Sequence, residues 1–493
     1  MSKELSELRE DAAALARDLA ALDWRRAAGL PAQGTPGAAV EAHRLASSAD
    51  ALAQLRESLD PARPARFARL CALRDFCLRA RAVALDPGAA QELHDLPLRP
   101  SVRIAGDAGL HGARPPLEVE RELPFARVRA ERAELERALA GAPAGPLGAA
   151  FEAAQAALAE ARIDAVGLHT RGWNEKEGAA EAAGKLLGGT DAVAGDLGTW
   201  LLERHTGARP GSIERHDVLH FLWSPRFASA FPRGEHQRTV RRWADALRLD
   251  LGGVRIDDEE RPGKPPGARA VALDPPSDVR VAFFPAEGPR ALASLLGALG
   301  EALLRAGPPE DAPAEDLWFG DGAVPAASAA LLGGLARDPG WLRRVAKADL
   351  GRDDERALAC AAVLDARIAA AATLASLEAH RLGGLSSRAE AAARELFLRA
   401  TGADLPAGLA LASVDPWLAP WAELRGLALA ARMRASLRER FDEDWWRNPR
   451  ALDPLQGLWS RGGRPTAAEL WAELGEDLPS VEALVADLLA ACG

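Results

Sequence analysis

The segment from residue 250 to 286 constrains the fold most, because it interrupts a chain whose apolar residues otherwise follow helical periodicity. It contains three runs in which apolar and polar residues alternate, LDLGGVRIDDEE, GARAVALDP and DVRVAFFPAEG, and these are separated by PGKPPG and DPPSD. Short alternating runs between glycine- and proline-rich turns are typical of β-strands. The sequence therefore predicts a mostly α protein with one small antiparallel β-sheet.

A leucine-rich helix is predicted directly after this sheet. ALASLLGALGEALLRAG (291–307) repeats its leucines at helical spacing, which indicates a buried helix. Gly297 and Gly300 lie inside it, where each glycine costs about 1 kcal/mol relative to alanine. Two explanations stay open from the sequence: another backbone approaches closely here, or the helix once carried a function and has drifted.

The overall charge excludes some classes of function. The 493-residue chain has a net charge of −10, with 48% apolar and 27% charged residues, as in a soluble globular protein. An acidic chain without a long basic stripe is not expected to bind nucleic acid or an anionic membrane. We find no signal-peptide pattern and no membrane-span pattern. Four cysteines are too dispersed for a disulfide framework, so we predict a reduced, cytoplasmic protein: Cys71, Cys77, Cys360 and Cys492.

The sequence HDVLH (216–220) is close to the H-E-x-x-H signature of zinc hydrolases. His216 and His220 would share one helix face, which is the geometry that lets two imidazoles bind zinc. Asp217 stands where the general base would be, but its side chain is one methylene too short. No third ligand is evident nearby. We therefore interpret the pair as the end of a helix with polar partners.

Two segments in succession resemble the thimet oligopeptidase and oligoendopeptidase families of zinc metallopeptidases, which are gluzincins. The helix SLLGALGEALLRAG follows the predicted sheet and is similar to the family's active-site helix, and FGDGAVPAASAALLGGLARDPGWL is similar to the next family helix. The stretch 415–449 resembles the family's C-terminal helices. The resemblance implies a large helical metallopeptidase-like fold over 200–493, with the small sheet next to the former active-site helix.

The same resemblance predicts two regions along the chain. Residues 1–206 form a helical N-terminal region. Residues 207–493 form the metallopeptidase-like region, with the sheet at about 250–286 and the former active-site helix at about 289–306.

Carried over position by position, the resemblance implies a degenerate zinc site. The first zinc-binding histidine falls on Gly297, the general-base glutamate on Ala298, the second histidine on Glu301 and the third ligand on Ala326. The family's tyrosine donors have no equivalent, because the chain contains no tyrosine. We therefore expect no bound metal, no cofactor, no catalytic residue and no enzyme activity.

Three hypotheses about function follow. The first is a catalytically inactive homologue, a pseudopeptidase, that binds a peptide or an active paralogue as a regulatory subunit. The second is a metal-dependent hydrolase with a relocated site, in which His216 and His220 act with Asp321 or Glu301. The third is a purely structural helical protein whose cleft is filled. In the first two, the proposed ligand-binding residues are Glu301, Asp321, His216 and His220.

Overall fold

A computed structural model of the protein describes residues 3–104, 113–141, 145–168, 178–251 and 253–493. α-Helices form most of this part of the chain. Those before the sheet are α1 (Lys3–Ala27), α2 (Pro36–Ala42), α3 (Ala49–Ser58), α4 (Pro64–Leu85), α5 (Pro87–Asp95), α6 (Pro116–Glu122), α7 (Arg129–Ala140), α8 (Leu147–Ala161), α9 (Ala179–Ala192), α10 (Thr199–Thr206), α11 (Arg215–Trp223) and α12 (Glu235–Leu247).

The helices continue after the sheet to the C-terminus. They are α13 (Pro289–Ala306), α14 (Ala314–Trp318), α15 (Ala323–Gly333), α16 (Pro339–Trp341), α17 (Arg352–Arg381), α18 (Ser387–Thr401), α19 (Ala407–Ala410), α20 (Ala419–Phe441), α21 (Leu452–Trp459), α22 (Ala467–Glu473) and α23 (Glu482–Cys492). The predicted mostly α fold with one small sheet beside the leucine-rich helix is confirmed.

The sheet has three strands, β1 (Val254–Asp257), β2 (Gly267–Asp274) and β3 (Asp278–Phe284), in the spatial order β1-β3-β2. β2 and β3 form the predicted antiparallel pair. β1 instead pairs with β3 in parallel, so the sheet is mixed rather than purely antiparallel. The reason is topological, because the chain between β1 and β2 crosses to the far side of β3.

Close packing of α13 against α15 explains the two interior glycines. A Cβ atom on Gly300 would lie 2.4 Å from the carbonyl oxygen of Ser328, and one on Gly297 would lie 3.3 Å from the carbonyl oxygen of Ala329. The Ser328 hydroxyl donates a hydrogen bond to the Gly300 carbonyl at 2.7 Å. The two backbones therefore touch, as the first of the two sequence explanations requires.

The main apolar core runs through both halves of the chain, from α1 to α23. Trp421, Trp445 and Trp446 are buried in it, and Trp417 packs against it. Because both predicted regions contribute to this core, the division at residue 206 stays a prediction.

Helix α17 is long and apolar enough to cross a membrane by length and composition, although the sequence pattern predicts no membrane span. In the fold, however, 78% of its most apolar 18-residue window is buried inside the protein. This burial is typical of a core helix, and the cytoplasmic location stays a prediction.

Candidate metal centre

Two carboxylates and one imidazole come together where α7 meets the start of α11. Glu136 lies on α7, Glu214 directly precedes α11, and His216 lies in the first turn of α11. Their potential ligand atoms all lie within 4.8 Å of one another. In the described part of the chain, this is the one group of three or more His, Cys, Asp or Glu side chains placed to share a metal ion.

The Nδ1 atom of His216 faces both glutamates. It lies 3.0 Å from Oε2 of Glu136 and 3.3 Å from Oε2 of Glu214. In a tetrahedral site with metal–ligand bonds of about 2.1 Å, neighbouring ligand atoms are about 3.4 Å apart. The spacing around Nδ1 is therefore close to that of metal ligands, and Glu136 Oε2 also accepts the His216 backbone N–H at 3.2 Å.

Backbone contacts fix the position of this turn. The N–H of Arg215 donates to the carbonyl of Asp404 at 2.9 Å, and the N–H of Asp404 donates to the carbonyl of Ile213 at 3.0 Å. Asp217 Oδ2 accepts the N–H of Glu214 at 3.2 Å, which caps the first turn of α11. The start of α11 is thus held between α7 and the segment after α18.

Burial differs among the three side chains. His216 is fully buried and Glu136 is almost so, whereas half of the Glu214 side chain is exposed. Buried carboxylates require charged or hydrogen-bonding partners, and Arg215 donates to the other oxygen of Glu136, Oε1, at 3.1 Å. Glu136 Oε2 stays directed at His216, and solvent reaches the group from the side of Glu214.

Asp217 lies behind the imidazole and is clamped by two arginines. Arg129 donates to both of its carboxylate oxygens at 2.8–3.1 Å, and the buried Arg132 lies 3.5 Å from Oδ1. The Nε2 atom of His216 is 3.4 Å from Asp217 Oδ1. Nε2 is buried and forms no hydrogen bond with any residue that the structure describes. Asp217 is therefore engaged with the arginines and is not poised as a general base.

His220, the second histidine of HDVLH, belongs to a different environment. Its Nδ1 atom bonds to the carbonyl of Pro124 at 2.7 Å. Burial, followed by the nearby charge of Arg132, lowers the pKa of His220. The structure thus pairs His216 with Glu136 and Glu214 rather than with His220, which corrects the ligand set of the relocated-site hypothesis.

Asp321 and Glu301 do not join this group either. Asp321 lies 2.8 Å from a guanidinium nitrogen of Arg425 and accepts the N–H of Ala467 at 3.0 Å. Burial raises the pKa of Asp321, but Arg425 and two backbone N–H groups more than offset this and lower it to about 2. Asp321 is therefore ionised at neutral pH and paired with Arg425. Glu301 is half-buried on α13.

The positions assigned by resemblance to the family's zinc site lie at the packed contact of α13, α15 and α20. Gly297 and Ala298 are buried on α13, and a Cβ atom on Gly426 would lie 2.5 Å from the Cβ atom of Ala326. Three of the four positions have no side-chain donor, and the fourth is Glu301. Their equivalence to the family's ligands stays a prediction.

Comparison with known proteins supports the fold at low sequence identity. Neither a protein-family model nor a curated protein matches the sequence. An M32 carboxypeptidase from Deinococcus radiodurans R1 matches with a TM-score of 0.57 and 16% identity over 100% of both chains. Trypanosoma cruzi metallocarboxypeptidase 1 matches with a TM-score of 0.55 and 14% identity over 99% of both.

An oligoendopeptidase F-like protein from Bacillus anthracis str. Ames also matches, with a TM-score of 0.54 and 13% identity over 86% of this chain and 77% of that one. The chain therefore has a metallopeptidase-like fold, similar to that of M32 carboxypeptidases and oligoendopeptidase F-like proteins. At these identities the likeness concerns the fold alone.

The prediction that the chain is not an enzyme is contradicted. That prediction rested on the replaced positions Gly297, Ala298 and Ala326 and on finding no third ligand near HDVLH, whereas the structure assembles a potential metal site from Glu136, Glu214 and His216. The fold neighbours, moreover, include a metallocarboxypeptidase. The descriptions "pseudoenzyme" and "zinc motif lost" therefore have no support from the structure.

Proposed function

We propose that the chain is a divalent-metal-dependent hydrolase whose metal is held by Glu136, Glu214 and His216. One observation carries the proposal: Nδ1 of His216 lies 3.0 and 3.3 Å from carboxylate oxygens of the two glutamates. This is a modified form of the relocated-site hypothesis, in which Glu136 and Glu214 take the place of His220 and of Asp321 or Glu301.

The set of donors suits a catalytic site. Catalytic zinc is usually held by three protein ligands with one position open, whereas structural zinc has four protein ligands. One imidazole nitrogen with two carboxylate oxygens also suits other divalent transition metals. Because the Glu214 side chain is half-exposed, we expect the open position on that side, within reach of water and substrate.

The surrounding residues have separable roles in this proposal. Arg215 occupies Oε1 of Glu136 and so directs Oε2 towards the metal position. When Nδ1 of His216 is a ligand, the ring proton must be on Nε2, which faces Asp217. A carboxylate behind a metal-binding histidine fixes its tautomer and ring orientation. Arg129 and Arg132 hold that carboxylate in place.

A bound divalent cation would supply a Lewis acid and lower the pKa of a bound water to about 7. We propose peptides as the substrate class, because fold neighbours carry the names of carboxypeptidases. An active paralogue as a partner, and a ligand-binding role for Glu301 or Asp321, stay separate predictions.

Metal content tests the proposal. Protein purified without a histidine tag is incubated with excess zinc, desalted and analysed by elemental mass spectrometry. We expect about one zinc per chain in the wild type and a loss of most of it in His216→Asn and Glu136→Gln. His220→Asn is the matched control from the same helix and should keep its metal, because His220 bonds to the Pro124 carbonyl.

Peptide hydrolysis should follow the metal content. Release of amino acids from a mixture of unblocked peptides should disappear after chelation, return with zinc, and be absent from His216→Asn. A wild type that retains no zinc, or a His216→Asn variant that retains as much as the wild type, would refute the proposal.

A further inference from the structure

A histidine lies between two carboxylates where α1 meets the turn that follows α2. Nδ1 of His43 is 3.0 Å from Oδ1 of Asp11, and Nε2 is 3.1 Å from Oδ2 of Asp18. Asp11 and Asp18 both lie on α1, and their spacing of about two helical turns places them on one face of that helix. The imidazole ring therefore spans the space between the two carboxylates.

This arrangement requires the protonated form of His43. An ionised carboxylate only accepts hydrogen bonds, and a neutral imidazole has a single N–H, so it could donate to one of the two carboxylates but not to both. Burial lowers the pKa of His43, but the hydrogen bonds and charges of Asp11 and Asp18 more than offset this effect and raise it above its ordinary value. Geometry and charge thus agree that the ring is an imidazolium at neutral pH.

The same contacts hold the turn between α2 and α3. The other oxygen of Asp11, Oδ2, accepts the backbone N–H of Ala46 at 2.8 Å, and Ala46 is buried in the main core. His43 and Ala46 both belong to the segment 43–48, so Asp11 binds this segment at two points. Asp18 adds a third contact from a half-exposed position.

Other titratable groups around this junction leave Asp11 and Asp18 as the main charges that act on His43. The nearby Cys77 is a neutral thiol, because burial and the charge of Asp11 raise its pKa. Charged residues on α1 and on the elements packed against α2 have partners of their own. These pairs are Arg17 with Asp274, Glu41 with Arg44, Arg74 with Asp75, and His94 with Asp95.

We propose that His43 is a pH-sensitive latch, which fastens the turn between α2 and α3 to α1 while the imidazole is protonated. The ordinary pKa of histidine is about 6.5. Because the folded-state pKa of His43 is higher, the latch is fully closed below about pH 6.5 and loosens as the pH rises through the folded-state value. A neutral ring keeps one hydrogen bond and turns a lone pair towards the other carboxylate. The latch involves none of the residues of the candidate metal centre.

The titration of His43 is the first test. In ¹⁵N-histidine-labelled protein, one of the nine histidines should have both ring nitrogens protonated at pH 7 and a midpoint above about 6.5. His43→Gln identifies this ring by its disappearance. Asp18→Asn should fold, because Asp18 is half-exposed, and should shift the midpoint to lower pH. A midpoint at or below about 6.5 in the wild type, or one that Asp18→Asn leaves unchanged, would overturn the proposal.

Hydrogen exchange in the segment 43–48 tests whether this titration loosens the turn. Protection is expressed relative to an unstructured peptide at the same pH. In the wild type, the protection of the Ala46 amide should fall by up to about tenfold per pH unit above pH 6.5, until His43 has lost its proton. His43→Gln should lack this dependence. His94→Gln is the matched control and should retain it, because His94 pairs with a single carboxylate. Constant protection in the wild type, or equal pH dependence in the wild type and in His43→Gln, would also overturn the proposal.

Discussion

Nδ1 of His216 lies 3.0 Å from Oε2 of Glu136, although 80 residues separate them along the chain. The contact is compatible with two states of the imidazole. Without metal, Nδ1–H can donate to the carboxylate. With metal, Nδ1 and Oε2 are both ligands, and the ring proton lies on Nε2 beside Asp217.

The first prediction is that zinc changes the tautomer of His216. In ¹⁵N-histidine-labelled protein, with nine histidines to resolve, one ring should change from the Nδ1–H to the Nε2–H form on addition of zinc. His216→Asn assigns that ring by its disappearance. Unchanged imidazole resonances at saturating zinc would show that His216 is not a ligand.

The second prediction separates the two glutamates. Glu214→Gln should reduce zinc affinity at least about tenfold and change the free energy of unfolding by less than about 0.5 kcal/mol, because Glu214 is half-exposed. Glu136→Gln should reduce zinc affinity similarly and also cost about 1–3 kcal/mol of stability, because the buried His216 and the partly buried Arg215 lose a charged acceptor. Competition titration and urea unfolding measure the two effects. Equal stability losses in both variants would contradict this account.

The parts of the fold that depend on local pattern could be predicted from the sequence. The alternation of apolar and polar residues predicts the strands within 254–284, and the spacing of the leucines predicts α13. Both patterns depend only on which face of one segment is buried. The parallel pairing of β1 with β3 could not be predicted, since it depends on the path of the chain between β1 and β2 rather than on either strand alone.

The candidate site was only partly predictable, for the same reason. HDVLH contains the helix start and the histidine, His216, of the proposed site, but its spacing favoured His220 as the second ligand. Glu214 is two residues before His216, so its carboxylate could have been predicted from the sequence as a candidate ligand. Glu136 has no local pattern that marks it, because only the packing of α7 against α11 brings it near.

The third prediction concerns the contact of α13 with α15. Gly300→Ala places a methyl group 2.4 Å from the Ser328 carbonyl oxygen, so we expect a loss of about 1–3 kcal/mol or more from overpacking. Gly188→Ala on α9 is the matched control, because nothing lies within 4 Å of the added atom, and it should stabilise by up to about 1 kcal/mol. Chemical denaturation of both variants measures the difference. Equal effects would mean that the two helices are not in backbone contact.

The fourth prediction concerns acid stability. The pKa of Asp321 is about 2 in the folded protein and about 3.9 in an unfolded chain. Because the folded-state pKa is the lower one, this carboxylate contributes about 2 kcal/mol above pH 4, and that stability is lost as the pH falls towards 2.

Unfolding measured between about pH 5 and 2 checks this dependence. Asp321→Asn should lack this part of the pH dependence, and the variant of exposed Asp311, Asp311→Asn, should retain it. Parallel pH profiles for the wild type and Asp321→Asn would contradict the role assigned to the Asp321–Arg425 pair.

The most direct test of the proposed metal centre is diffraction at the zinc absorption edge from crystals of the tag-free protein grown with zinc. We expect one strong anomalous peak about 2.0–2.2 Å from His216 Nδ1 and from one oxygen each of Glu136 and Glu214. No peak at this position, or the principal peak at another place in the protein, would contradict it.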